Sequence, residues 1–228
     1  LNSDLAPLII SIKTALTASL ITFFLGIFIA WFMTCKKRGY EGILDAIFTL
    51  PMVLPPTVVG FFLLLLFGRN GPLGKLLLLI DIRIIFSWSA TVIAAVVVSF
   101  PLMYKTTKSG FEQIDTNILN AARTLGVSEW RIFWTITLKL AWPSVAAGTI
   151  LAFARALGEF GATLMIAGSI PGKTQTIPLA IFFAAEAGEM NKALAWVITI
   201  SALSFAVIIL TNLWTNYQNK LISSRRYE

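Results

Sequence analysis

Apolar residues come in long blocks along this chain, and polar ones gather in the short stretches between them. Residues 8–35 are largely apolar and run directly into Lys36, Lys37 and Arg38. Further apolar runs cover 43–67, 84–104, 143–167 and 193–216. A helix crosses roughly 30 Å of hydrocarbon with about 20 mostly apolar residues, so the pattern predicts an all-α, polytopic transmembrane bundle with five firm spans. A short apolar helix at 177–185 makes six possible, and 76–80, cut off by Asp81 and Arg83, reads as an interfacial piece. Pro51, Pro55 and Pro56 interrupt the second span, either as a kink or as a break that frees carbonyls beside a cavity.

Composition agrees with the pattern. Hydrophobic residues make up 57% of 228 positions, charged residues 13%, and the mean hydropathy is +0.82, where a soluble domain carries about 25% charged residues. One membrane domain over 1–228 is expected, without a separate soluble one. The first apolar run has its charges after it, whereas a signal peptide has them before, so it is expected to be an anchor that is kept. There is one cysteine and no histidine, which removes internal disulfides, imidazole-based catalysis and most transition-metal sites. No catalytic residue and no metal site is assigned.

Lys and Arg counts orient the spans. With the N-terminus outside and the C-terminus in the cytoplasm, Lys36, Lys37, Arg38, Lys105, Lys108, Arg123, Arg131, Lys139, Lys220, Arg225 and Arg226 are inside; only Lys13, Arg69, Lys75, Arg83, Lys173 and Lys192 are outside. The net charge of +7 is thereby read as a topogenic signal, and no nucleic-acid partner is inferred. This orientation puts a loop at about 105–142 in the cytoplasm and one at about 168–192 outside.

The inner loop is patterned as a helix pair. Asp115 can cap a helix that runs to Leu125, Gly126 supplies a left-handed terminator, and Ser128 can cap the next helix. Leu119, Ala122 and Leu125, then Trp130, Phe133 and Trp134, recur at helical spacing and give each helix an apolar stripe. That stripe suits either the bilayer surface and the protein's own spans or another protein docking from the cytoplasm.

The spacing Ala121, Ala122, three residues, Gly126, nine residues, Ile136, one residue, Leu138 resembles the signature loop of ABC importer permeases. Asn120 stands where that family has an acidic residue, and Lys139 where it has proline, with Pro143 the nearest proline. Residues 152–181, together with "TLPMVLPPTVVG" at 49–60 and "FSWSATVIAAVVVSFPLMYK" at 86–105, look like molybdate and tungstate permeases, with sulfate permeases as cousins. The resemblance implies a type I importer bundle in a bacterial inner membrane, working as a homodimer with two cytoplasmic ATPase subunits and a periplasmic oxyanion-binding protein, in contact with membrane lipid. It implies that Asn120, Ala121, Ala122, Arg123, Gly126 and Ser128 couple to the ATPase. The chain itself is then no enzyme and binds no cofactor; ATP and Mg are used by the partner ATPase.

Three further features remain open. Arg155 and Glu159 lie four residues apart in the fourth span, at a depth where charges are costly unless paired or wetted; they are a structural pair or, with Gly158 and Gly161, line a path or its gate. Ala154, Gly158 and Ala162 recur every four positions, as in close helix packing or a dimer interface. "GKT" at 172–174 lacks the first glycine of a phosphate-binding loop, Ala167 standing in its place. It reads as a Gly/Pro turn, to which the resemblance adds contact of Pro171, Gly172 and Lys173 with the binding protein. An ion-coupled secondary carrier is the alternative class, but it should show internal repeats and a buried carboxylate pair, and neither is visible.

Overall fold

The structure, a computed structural model, describes residues 5–35, 39 and 41–224, with side chains through residue 209 apart from Cys35. The inner-side charges Lys36, Lys37, Arg38, Arg225 and Arg226 lie outside the described residues, as does the side chain of Lys220. The described residues are all-helical: α1 (Ala6–Cys35), α2 (Glu41–Val53), α3 (Pro56–Phe67), α4 (Pro72–Leu78), α5 (Trp88–Glu112), α6 (Thr116–Thr124), α7 (Glu129–Ile132), a π-turn (Phe133–Thr137), α8 (Leu138–Leu140), α9 (Trp142–Leu157), α10 (Gly161–Ala167), α11 (Ile177–Glu186) and α12 (Met190–Ser224). Three of them are long and apolar enough to cross a membrane, or up to five segments if each bent pair, α2 with α3 and Glu129–Leu140 with α9, counts as one span.

α1, α5 and α9 form the centre. Met103 fills the space between them: a Cβ at Gly26 would collide with its side chain, and one at Gly148 would press on its sulfur at 3.1 Å; without side chains there, the three helices approach closely. Ile27, Ala30, Met33, Tyr104, Val145 and Ala152 complete this core. Polar ties cross the same interface. Thr14 and Thr91 share a hydroxyl hydrogen bond of 3.1 Å, and Trp88 Nε1 donates to Thr14 Oγ1 at 3.0 Å. Such bonds between helices matter where no water competes.

Two predicted spans are not continuous. Residues 43–67 are split at Leu54–Pro55, where α2 and α3 turn by 114°; Pro51 is accommodated inside α2, while Pro56 opens α3, where its missing N–H is not needed. Residues 143–167 are split at 158–160, so α9 ends at Leu157 and α10 starts a new helix. Consequently Ala154, Gly158 and Ala162 do not form one stripe: Ala154 and Gly158 are exposed, whereas Ala162 is buried against Gly60 of α3. The third span begins at Trp88 rather than 84 and runs on to Glu112, and residues 72–78 form the short helix α4.

A charge knot ties α2 to the end of α5. Asp45 accepts hydrogen bonds from Tyr104 Oη at 2.7 Å, Lys105 Nζ at 2.7 Å and Lys108 Nζ at 2.9 Å. Nothing in the spacing of residues sixty positions apart announces it.

Candidate functional site

The helix pair of the inner loop is built as its residues dictate. Asp115 Oδ1 accepts from the Asn117 amide at 2.9 Å and caps α6. At the other end the Gly126 amide donates to Arg123 O and the Val127 amide to Ala122 O, with Gly126 at φ +75°. This is the paired terminus in which glycine takes the left-handed position at no steric penalty. Ser128 occupies the capping position of α7, but its hydroxyl makes no capping bond; its carbonyl accepts from the Ile132 amide instead.

Arg123 closes the corner. Its Nε donates to Glu129 Oε1 at 2.6 Å, Nη2 to Glu129 Oε2 at 3.2 Å, and Nη1 to Asn120 Oδ1 at 2.9 Å. Asn120 therefore positions the arginine, and the carboxylate comes from Glu129, which the motif spacing did not single out. The hydrogen bonds from Arg123 hold the Glu129 carboxyl below its ordinary range.

The stripe predicted for these helices divides into two faces. Ala122, Ile132 and Phe133 are buried, and Phe133 packs on Trp31 of α1 with ring centroids 4.8 Å apart. Neither Ile132 nor Trp31 belongs to the stripe that the helical spacing marks. Ala121, Leu125, Trp130 and Trp134 face outward instead, Leu125 at 83% and Trp130 at 60% exposure. One apolar face anchors the corner to the bundle; on the other, Trp130 meets Trp31 edge-on with ring centroids 6.0 Å apart, and the rest is uncovered among the described residues. Beyond the π-turn the chain bends by 72° into α9, whose first turn contains Pro143.

The break in the fourth span holds the second group of predicted residues. Glu159 is 3% exposed. Its Oε1 accepts from the Ala162 amide at 2.8 Å, so it caps α10, and its Oε2 lies 2.8 Å from Arg155 Nη1. That second contact is an ion pair without aligned hydrogen-bond geometry, and Oε2 has no other partner. Gly158 is exposed beside it, whereas Gly161 is buried against Pro56 and Thr57 at the start of α3. The break therefore brings Arg155, Gly158 and Glu159 together and places Gly161 at the joint between α10 and α3.

The third group tops the opposite end. Gly168 and Gly172 have φ of +64° and +73°, and buried Thr174 accepts from the Ile170 amide at 2.9 Å, so "GKT" closes a Gly/Pro turn. Pro171, Gly172 and Lys173 are exposed at its tip. Beside them a cavity of about 510 Å³ is lined by Pro7, Pro171, Gln175, Phe183, Glu189 and Trp196, among others. The turn is fixed to α1 where the Ile177 amide donates to Ser11 Oγ at 2.8 Å. From Ser11 to Trp31, which carries the corner, α1 rises about 30 Å, the thickness of the hydrocarbon core. The corner and the turn thus sit a membrane's depth apart. Among the described residues no cluster of potential metal ligands occurs.

Known proteins resemble this chain along most of its length. A model of the family described as binding-protein-dependent transport system inner membrane component matches residues 10–223. The molybdenum transport system permease protein ModB of Escherichia coli (strain K12) is 42% identical over 205 residues, covering 88% of this chain and 89% of that protein. ModB of Haemophilus influenzae (strain ATCC 51907 / DSM 11121 / KW20 / Rd) is 42% identical over 180 residues, 78% of this chain and 79% of its own. The fold is shared with a solved bacterial ABC transporter involved in the import of the acidic polysaccharide alginate, with a TM-score of 0.74 over 92% of this chain and 79% of that one, at 15% identity.

Proposed function

This chain belongs to the family of binding-protein-dependent transport system inner membrane components, and from that premise we propose that it carries molybdate through the membrane as the non-catalytic permease of an ATP-driven importer. The observation that carries the substrate is the 42% identity to molybdenum permeases along 88% of the chain, through both broken spans. As a multi-pass inner-membrane permease of an ABC importer it works with an ATPase and a binding protein.

Within this reading, two copies form the passage and two ATPase subunits supply the motion. The N-terminus is outside and the chain crosses five times, with α2–α3 and α9–α10 as broken spans. The corner formed by Asn120, Ala121, Ala122, Arg123, Gly126 and Ser128 enters the ATPase, guided by Leu125 and Trp130, whose exposure supports a protein partner. The Phe133–Trp31 contact and the π-turn transmit its displacement to α1 and α9. Arg155, Gly158 and Glu159 form the gate: Glu159 restrains the guanidinium, and rearrangement of the break lets Arg155 face a passing oxyanion. Pro171, Gly172 and Lys173 receive the binding protein at the other end. Capture is the binding protein's task, so the passage needs charge complementarity rather than a tight site.

The test is uptake of labelled molybdate and sulfate in cells that lack only this chain. Molybdate uptake at low external concentration should vanish while sulfate uptake persists. Loss of sulfate uptake with molybdate uptake intact would assign the chain to the sulfate branch.

A further inference from the structure

Residues 68–86, at the end of α3, belong to none of the regions above, yet they are built with care. Gly71 and Gly74 are buried, and a Cβ on either would strike carbonyl oxygens of Leu65 and Leu66 or of Phe67 and Gly68. α4 can therefore fold back on the end of α3 only with glycine at both positions. Two non-glycine residues hold left-handed backbone here, Asp81 at φ +54° and Phe86 at φ +58°. For a ring-bearing residue that conformation persists only where its surroundings impose it. The Phe86 amide donates to Ile166 O at 3.2 Å and its ring lies against Gly168, so α10 imposes it.

This segment encloses a cavity of about 270 Å³ with apolar walls from Phe67, Leu77, Leu78, Ile82, Ile84 and Ile85. Arg69 and Arg83 line the same cavity. Both are exposed, and neither has an ion-pair or hydrogen-bond partner among the described residues, although Asp81 is only two positions from Arg83. On the outside of the segment Leu76, Leu79 and Ile80 each expose more than half of their area. Apolar surface and arginine combine in this way where acyl chains meet headgroups.

We propose that this cavity is a binding site for one anionic phospholipid, its phosphate held between Arg69 and Arg83 and its acyl end laid against the apolar wall. A free oxyanion would surrender its hydration to walls whose side chains offer no donors beyond the two guanidinium groups. A phosphodiester lipid brings its own apolar portion to those walls, and planar guanidinium groups suit its phosphate oxygens. The site requires only that α4 lies at a membrane interface, so it stands apart from the substrate assigned above.

Native mass spectrometry of the full-length chain with its ATPase, released from nanodiscs of equal phosphatidylglycerol and phosphatidylcholine, tests the assignment. One phosphatidylglycerol should be retained per chain in preference to phosphatidylcholine, and millimolar molybdate or inorganic phosphate should leave it in place. Arg69→Gln and Arg83→Gln should each weaken retention about tenfold, as expected for loss of a charge-assisted hydrogen bond, whereas Arg69→Lys and Arg83→Lys, which keep the charge but lose the planar fork, should weaken it less. Equal retention of the two lipids by the wild type, undiminished retention in the double Gln variant, or displacement by the free anions would overturn the proposal. The last outcome would mark a substrate-anion site instead. If the Gln variants fail to fold, lipid preference and anion competition on the wild type still decide.

Discussion

Two arginine–glutamate pairs bridge breaks in helices of this molecule, and their surroundings differ. Arg123 and Glu129 span the Gly126 corner with side chains 44% and 55% exposed; Arg155 and Glu159 flank the break at 158–160 with side chains 30% and 2% exposed. In the first, both Glu129 oxygens accept hydrogen bonds from the guanidinium, and water competes for every one of them. In the second, one carboxylate oxygen caps a helix and the other faces the arginine without an aligned hydrogen bond. Water helps little there, so removing one partner leaves the other stranded. The same two residue types thus set a shape at the corner and govern an energy at the break.

The largest effect is expected at Glu159. Glu159→Ala removes the acceptor for the Ala162 amide and the counter-charge of Arg155 together, a loss of about 2–3 kcal/mol once the partial exposure of Arg155 is allowed for. Glu159→Gln keeps an oxygen for the cap and should lose only about 1 kcal/mol. Thermal unfolding in detergent measures both. Molybdate uptake into proteoliposomes then separates structure from gating: a folded Gln variant should transport poorly if the charge restrains Arg155, and wild-type uptake would reduce the pair to a helix cap.

Next in size is a lesion at the corner. No atom lies within 4 Å of a Cβ built on Gly126, and only its φ of +75° resists a side chain, so Gly126→Trp should destabilise the free permease by about 1 kcal/mol. If the corner seats in an ATPase groove, as proposed, the indole has no such space there. Retention of the ATPase in detergent should fall at least about tenfold, equivalent to about 1.4 kcal/mol of affinity, and loaded binding protein should no longer stimulate hydrolysis. Wild-type retention and stimulation in this variant would return the corner to a membrane-surface helix.

The two regions also differ in how far their residues disclosed them. At the corner the information is local: Asp115 two positions before the amide that it caps, and glycine at the one residue that needs positive φ. The Gly/Pro turn at 168–174 was legible for the same reason. The break at 158–160 was not, because 143–167 is continuously apolar around one charged pair and Gly158 has an ordinary negative φ. What ends α9 there is tertiary: α10 must pack on Pro56, Thr57 and Gly60 of another helix. The Asp45 knot and the left-handed Phe86 leave no local mark either, since their causes lie 59 to 80 residues away in the chain. The division of the corner's apolar stripe into an anchoring and an open face depended on Trp31, which belongs to a different helix.

The smallest effect is expected for the exposed pair, and it tests the comparison from the other side. Glu129→Gln should change the stability of the free permease by less than about 0.5 kcal/mol, since solvent screens both partners. The pH dependence has a definite sign. Arg123 lowers the Glu129 carboxyl in the folded chain, so its contribution is complete above the unfolded carboxylate value of about 4.3 and is lost as the pH falls through the lower folded value. The difference in unfolding midpoint between wild type and Glu129→Gln should therefore be small and constant from neutral pH to about 5, and should close below about pH 4. High salt should shrink it at every pH, because exposed charges are screened within about 10 Å at 0.1 M ionic strength. A stability loss near that expected for Glu159→Ala, or one indifferent to salt, would show that the corner is covered in the free permease. Its open apolar face would then belong to the bundle and not to a partner.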